Sequence, residues 1–293
     1  MRSIRVGFCA AVIAATGVAV AACGTVSPSG SATNPTTPTA KTPIQAIDAA
    51  YTSTTTAGTA KLSMDMAMSG QAMQGHKVDF TGNGVVDFAH RSGDLSMSIL
   101  GMDMEIRYLN DVEYIHAPSE LSSLDGGKPW MKLDLNELAK ANLGASMDQL
   151  TSSTPTDPSQ LLSYLQGVSS NVTDDGPATI DGTATTHYTA QMNVADVIKK
   201  ENLPADKAAQ MRKLFGSPTV PLQVWVDSQN RLRQMSFDQK IDAGAITGAT
   251  SGAGGGTVDM AMTMKLSDFG VPVNVAVPPA DQTGDAASML GGK

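Results

Sequence analysis

The residue with the most specific chemical promise is Cys23, which directly follows Val20-Ala21-Ala22. A cysteine behind small residues forms a lipobox. Its thiol can accept a diacylglyceryl group, and small side chains fit the peptidase that cuts before it. The upstream chain agrees: Arg2 and Arg5 are followed by an uncharged, Ala- and Val-rich run from Val6 to Val20. A basic start, a short apolar stretch and small residues at the cut describe a secretory signal peptide. At 15 residues the run is shorter than the ~20 that a bilayer-spanning helix needs. These features predict a signal peptide over residues 1–22 and acylation of Cys23, with the protein held at the outer face of a bacterial cytoplasmic membrane.

A second pattern lies in the methionines, 17 in all. Met64, Met66 and Met68 alternate with polar residues, and so do Met260, Met262 and Met264. On a strand, residues i and i+2 share a face, so each trio forms a stripe. Three readings of the stripes are open. One is ordinary core. Another is the soft lining of an acyl-chain cavity, since methionine is flexible and polarizable. The third is a thioether site for cuprous ion.

Other chemistry finds little support. Asp268-Phe269-Gly270 spells a kinase metal motif, but no Gly-rich strand or His-Arg-Asp loop accompanies it. His76, His90, His116 and His187 are widely separated and read as surface or strand-edge residues. No phosphate-binding loop, nucleophile elbow or His-Glu-x-x-His helix occurs. No catalytic residue, metal ligand or cofactor is therefore expected. With Cys9 in the signal peptide and Cys23 acylated, the mature chain has no thiol for disulfides or nucleophilic catalysis.

These side chains need a scaffold. Residues 24–43 are almost wholly Ser, Thr, Pro, Gly, Ala and Asn. Such a segment buries no core, and at 5–6 Å × √n it would reach about 25 Å. Residues 23–43 thus read as an acylated tether, 44–279 as a single domain, and 280–293 as a disordered tail. Without Arg2 and Arg5, 18 basic residues face 28 acidic ones. That balance argues against nucleic-acid binding.

Pro43–Thr54 reads as a short helix with proline in its first turn. Period-two alternation then predicts strands through Leu62–Met68, Val78–Phe88 (with Phe80), Leu95–Ile99 (with Met97), Met102–Tyr108 (with Met104), Val112–His116 and Trp130–Leu133. Helices are predicted at Asp134–Leu143, Asp157–Leu165, Val194–Glu201 and Ala205–Phe215. Further strands are predicted at Asn171–Asp174, Thr185–Asn193, Thr219–Val226 (with Val224), Arg231–Ile241 and Val258–Leu266, with a Gly-rich loop at 243–257. This is an α+β pattern: a large antiparallel sheet with helices on one side.

Several segments resemble the LppX/LprG-type lipoproteins of mycobacteria and related actinobacteria. They are Tyr108-Leu109-Asn110-Asp111-Val112-Glu113-Tyr114, Lys128-Pro129-Trp130-Met131, Asp181-Gly182-Thr183-Ala184, Val220-Pro221-Leu222-Gln223-Val224-Trp225 and Leu266-Ser267-Asp268-Phe269-Gly270. The likeness runs from about Pro43 to Pro279 and lies in the order of loose strand signatures. It implies a strongly curved antiparallel half-barrel, akin to periplasmic lipoprotein carriers, with helices over its concave face. Acyl chains of an envelope lipid or lipoglycan would lie between sheet and helices, to be carried or presented without catalysis. A membrane transporter is a conceivable partner. On that reading Leu62, Met64, Met66, Met68, Phe80, Met97, Met104, Val224, Met260, Met262 and Met264 line the cavity. Two rivals stand beside it: a methionine-rich copper-binding envelope protein, and a ligand-free interaction or sensor module.

Overall fold

In the computed structural model the described residues are 41–116, 127–134, 158–168, 171–242 and 256–285. The signal peptide, Cys23, the tether up to residue 40, the helix expected over 135–143, the Gly-rich loop at 243–255 and residues 286–293 lie outside them.

Alternating apolar and polar residues give the strands β1 (Thr59–Gly70), β2 (Val78–Asp87), β3 (Ser92–Ile99), β4 (Met102–Leu109), β5 (Val112–His116) and β6 (Trp130–Asp134). Later come β7 (Thr173–Ile180), β8 (Thr183–Asn193), β9 (Thr219–Asp227), β10 (Leu232–Asp242), β11 (Thr257–Ser267) and β12 (Thr283–Asp285). They form one open, curved sheet in the order β12-β6-β5-β4-β3-β2-β1-β11-β10-β9-β8-β7, twelve strands among the described residues. Every neighbouring pair is antiparallel except β12 with β6. Two local meanders, β1 to β6 and β7 to β11, meet where β1 pairs with β11. That central seam joins the two ends of the domain.

Asp181 and Gly182 both take positive φ, 47° and 79°, in the β7–β8 turn. These are the residue types that a tight two-residue hairpin favours. Strand β7 runs well past the expected Asn171–Asp174 and includes Gly176 and Pro177. Proline can sit there because β7 is the edge of the sheet, where a missing N–H breaks no ladder.

Helices α1 (Pro43–Thr56), α2 (Pro158–Ser163), α3 (Val194–Lys200) and α4 (Ala205–Phe215) pack on the face that carries the methionines. A 3-10 turn, Tyr164–Gly167, follows α2 where an α-helix is expected to continue. Tyr164 there lies 5.7 Å from the Phe215 ring of α4 and 6.4 Å from Phe237 of β10. Burial, reinforced by the charge of Glu201, pushes its phenol up to about 12. Helix α1 opens with a capping box: the Thr42 side chain accepts from the Gln45 backbone, and Gln45 reciprocates.

The buried Thr54 hydroxyl accepts a 2.8 Å hydrogen bond from the backbone N–H of Leu232, tying α1 to β10. Thr54→Val would leave that N–H unmet. An orphaned buried donor costs about 1–3 kcal/mol, so the urea midpoint should fall accordingly, while Thr54→Ser should retain most of the stability. An unchanged midpoint in the valine variant would show the bond to be dispensable.

Two glycines of β2 differ in the space above them. A Cβ on Gly84 would come 2.1 Å from the Asp94 carbonyl oxygen and 2.9 Å from Leu95 Cα, both backbone atoms. On Gly82 it would meet Met97 Cγ at 3.6 Å, Met64 Cβ at 3.7 Å and the Ser96 carbonyl oxygen at 3.8 Å, all ordinary contacts. Gly84→Ala should therefore cost about 1–3 kcal/mol, as overpacking does. Gly82→Ala should be neutral or stabilising by roughly 0.5 kcal/mol through reduced chain entropy. Parallel denaturant titrations check the contrast, and equal effects would refute it.

The disordered tail expected from residue 280 needs correction over its first six residues. Ala280–Gln282 forms a 3-10 turn, and Thr283–Asp285 pairs in parallel with β6. The reason is the edge of β6, whose free backbone groups offer a template. An extended strap leads there: Gly270 N–H donates to Thr59 O, Arg107 Nη1 to Ala276 O and Lys128 Nζ to Thr283 O. Among the described residues, no helix is long and apolar enough to cross a membrane, which says nothing of strands.

A methionine-lined face as candidate functional site

Strand register sorts the expected lining residues into rows across the sheet. Directly paired residues point to the same face, so each row is one line of side chains. The first row reads Met104, Met97, Gly82, Met64, Met264, Met235 and Val224, from β4 across to β9. At ~4.8 Å per strand it extends over about 29 Å. The second reads Met102, Ile99, Phe80, Met66, Met262 and Phe237. A third joins Val78, Met68, Met260 and Gln239. Leu62 lies in a fourth, between Leu266 and Gly84. The topology thus brings all eleven expected residues onto one face.

They are not equally covered. Leu62, Met64, Val224, Met262 and Met264 belong to the core cluster that α1, α2, α3 and α4 close. Met66 and Met97 are buried outside it, and Met68, Phe80, Met104 and Met260 are half-buried. At the β3–β4 tip, Leu100 is 67% exposed at φ 53° and Met102 is 41% exposed, so the second row ends in solvent. A recess of about 480 Å³ opens at Lys61, Ser63, Asn83, Asp181 and Lys265. Another of about 370 Å³ lies among Phe215, Gly216, Thr219, Val220 and Gln239. No methionine lines either recess.

The opposite face is polar. Lys61 pairs with Asp268 at 2.8 Å and Lys265 with Asp181 at 3.1 Å. Such exposed pairs contribute little to stability. Hydrogen bonding and charge from Lys61 hold the Asp268 carboxyl below its usual range. Arg107 bonds Glu105 and Asp94 and lies 4.7 Å over the Trp130 ring. Burial, with the nearby Glu105 charge, raises Asp94.

The histidines do not converge. His90 pairs with Asp87, His116 meets Trp130 edge-on, and His187 stacks on Trp225 while bonding Gln223 at 2.6 Å. Among the described residues, no three His, Cys, Asp or Glu side chains gather as metal ligands would.

No family model matches the chain. A protein of Streptomyces coelicolor named as a lipoprotein is 24% identical over 216 residues, covering 73% of this chain and 59% of its own length. Among solved structures, the Mycobacterium tuberculosis lipoprotein LppX aligns at 15% identity and TM-score 0.45, over 80% of this chain and 98% of that one. LprF of Mycobacterium bovis gives 16% and 0.42, over 81% and 97%. A LolA-superfamily protein of Nitrosomonas europaea gives 9% and 0.30, over 80% and 96%.

The chain resembles LppX-type lipoproteins. The fold itself stands on the strand pairing above. The chain spans about three-fifths of the length of the Streptomyces lipoprotein, 59%.

On β10, three residues of the methionine face do not follow from the stripes alone: Met235, Phe237 and Gln239. The signal for β10 was present, because Met235, Phe237, Gln239 and Ile241 alternate with polar residues. Only the β10–β11 register, Met235 to Met264 and Phe237 to Met262, aligns that strand with the stripes.

Proposed function

We propose that this protein is a lipoprotein, acylated on Cys23 and held at the outer face of the bacterial cytoplasmic membrane, that binds acyl chains of an envelope lipid or lipoglycan. The chains would lie between the methionine rows and the helices, to be carried or presented without catalysis. The observation that carries this reading is the first row, in which unbranched methionines surround Gly82 across the centre of an open sheet. A face meant only as core gains uniqueness from side chains of defined rotamer. Methionine instead re-packs around varied apolar shapes. A Cβ on Gly82 would sit at ordinary contact distance from its neighbours, so a methyl-sized group such as a ligand methylene fits there.

The test is native mass spectrometry of the purified protein before and after organic extraction, with lipid analysis of the extract. Acyl lipid released in near-stoichiometric amount supports the reading. A protein that carries no lipid and takes up no fluorescent fatty acid would sink it.

A further inference from the structure

Strand β10 presents Met235, Phe237, Gln239 and Ile241 to the methionine face. Across the strands, Gln239 pairs with Met260, which pairs with Met68. Gln239 is thus the polar end of an otherwise apolar row. Its Oε1 and Nε2 are both shut off from water, and neither has a hydrogen-bond partner. A buried amide left unpaired is costly, and native proteins retain few such groups. Volume alone does not explain it, because methionine has nearly the same length and already occupies positions 260 and 68. The recess at the C-terminus of α4, between Phe215, Gly216 and Val220, lies against this same residue.

We infer that Gln239 is the polar contact of the lipid site and recognises an acyl ester that adjoins a free hydroxyl. The inference rests on the acyl-binding reading above. A carboxamide offers donors on Nε2 and an acceptor on Oε1, so a partner that satisfies both must bring a carbonyl and a hydroxyl. A bare hydrocarbon brings neither. An ionised carboxylate brings no donor and would need a cation, whereas neighbouring Lys240 is exposed and engaged with Asp259. An ester carbonyl accepting from Nε2, with the adjoining hydroxyl donating to Oε1, satisfies the amide. The chains then run along the methionine rows while the head group faces the recess.

The test uses the full chain carrying Cys23→Ser, in which no acyl anchor competes, and follows displacement of a fluorescent polyene fatty acid. Dioctanoylglycerol has esters beside a free hydroxyl; in trioctanoylglycerol that hydroxyl is esterified. Dioctanoylglycerol should displace the probe at about ten-fold lower concentration, the value of one buried hydrogen bond. Gln239→Met should bring the two competitors, each referenced to that variant's own probe affinity, within roughly two-fold of each other, and should raise the thermal midpoint of the unliganded protein. If Gln239→Met keeps the ten-fold preference, or lowers the midpoint, the assignment of Gln239 falls while acyl binding stands. If the Cys23→Ser chain with Gln239 intact binds no probe and neither glyceride, the acyl reading falls and this inference with it.

Discussion

Cys23→Ser should move the protein almost entirely from the detergent phase into the aqueous phase on detergent partitioning of intact cells. The expectation follows from the arithmetic of anchoring. Each buried methylene contributes ~0.8 kcal/mol, so one chain binds a membrane marginally and two or more bind it durably. The apolar run from Val6 to Val20 is too short to replace that anchor once the thiol is gone. The folded unit from Lys41 onward offers an acidic, charge-paired surface, unsuited to anionic lipid. Equal partitioning of the wild-type and serine proteins would refute acylation at Cys23. It would place the membrane attachment, if any, elsewhere in the chain.

Met66→Trp should weaken acyl-probe binding at least ten-fold, while changing the unfolding free energy from denaturant titration by less than about 1 kcal/mol. Met66 lies in the second row between Phe80 and Met262, and it is buried outside the helix-closed cluster. In a close-packed core the added atoms of an indole would force strain of about 1–3 kcal/mol. In a face that opens for ligand, the indole instead takes the path of the acyl chain. Probe titration and unfolding on the same variant separate these cases. Marked destabilisation, with no probe bound even by the wild-type protein, would make the face plain core and direct the search for function to the polar side.

Much of this architecture is written locally. Period-two alternation in Leu62–Met68 and Val258–Leu266 assigns each side chain to a face, because the pleat of a strand has period two. The turn pair Asp181-Gly182 is likewise local, since its backbone conformation suits those residue types. Helix α1 is local too, from the Thr42 cap and Pro43. The chemistry proposed for Cys23 rests on adjacency alone, on small residues directly before a thiol.

What lies beyond local pattern concerns who meets whom. That Met64 faces Met264, far away along the chain, depends on the β1–β11 seam. Alternation specifies a face but not a neighbour, and many registers would satisfy it. Only that seam and the β10–β11 pairing turn two separate stripes into continuous rows and bring Met235 and Phe237 into them. The same pairing places Gln239 among methionines, where its unpartnered amide acquires meaning; in the sequence it is one polar residue on a strand. The ordered Thr283–Asp285 was equally illegible, because a three-residue strand exists only through the free edge of β6 beside it. Residue spacing by itself thus determined faces, turns and the lipobox. Tertiary pairing decided which faces join, which methionines share a row and which polar group they enclose, since those depend on contacts between residues far apart along the chain.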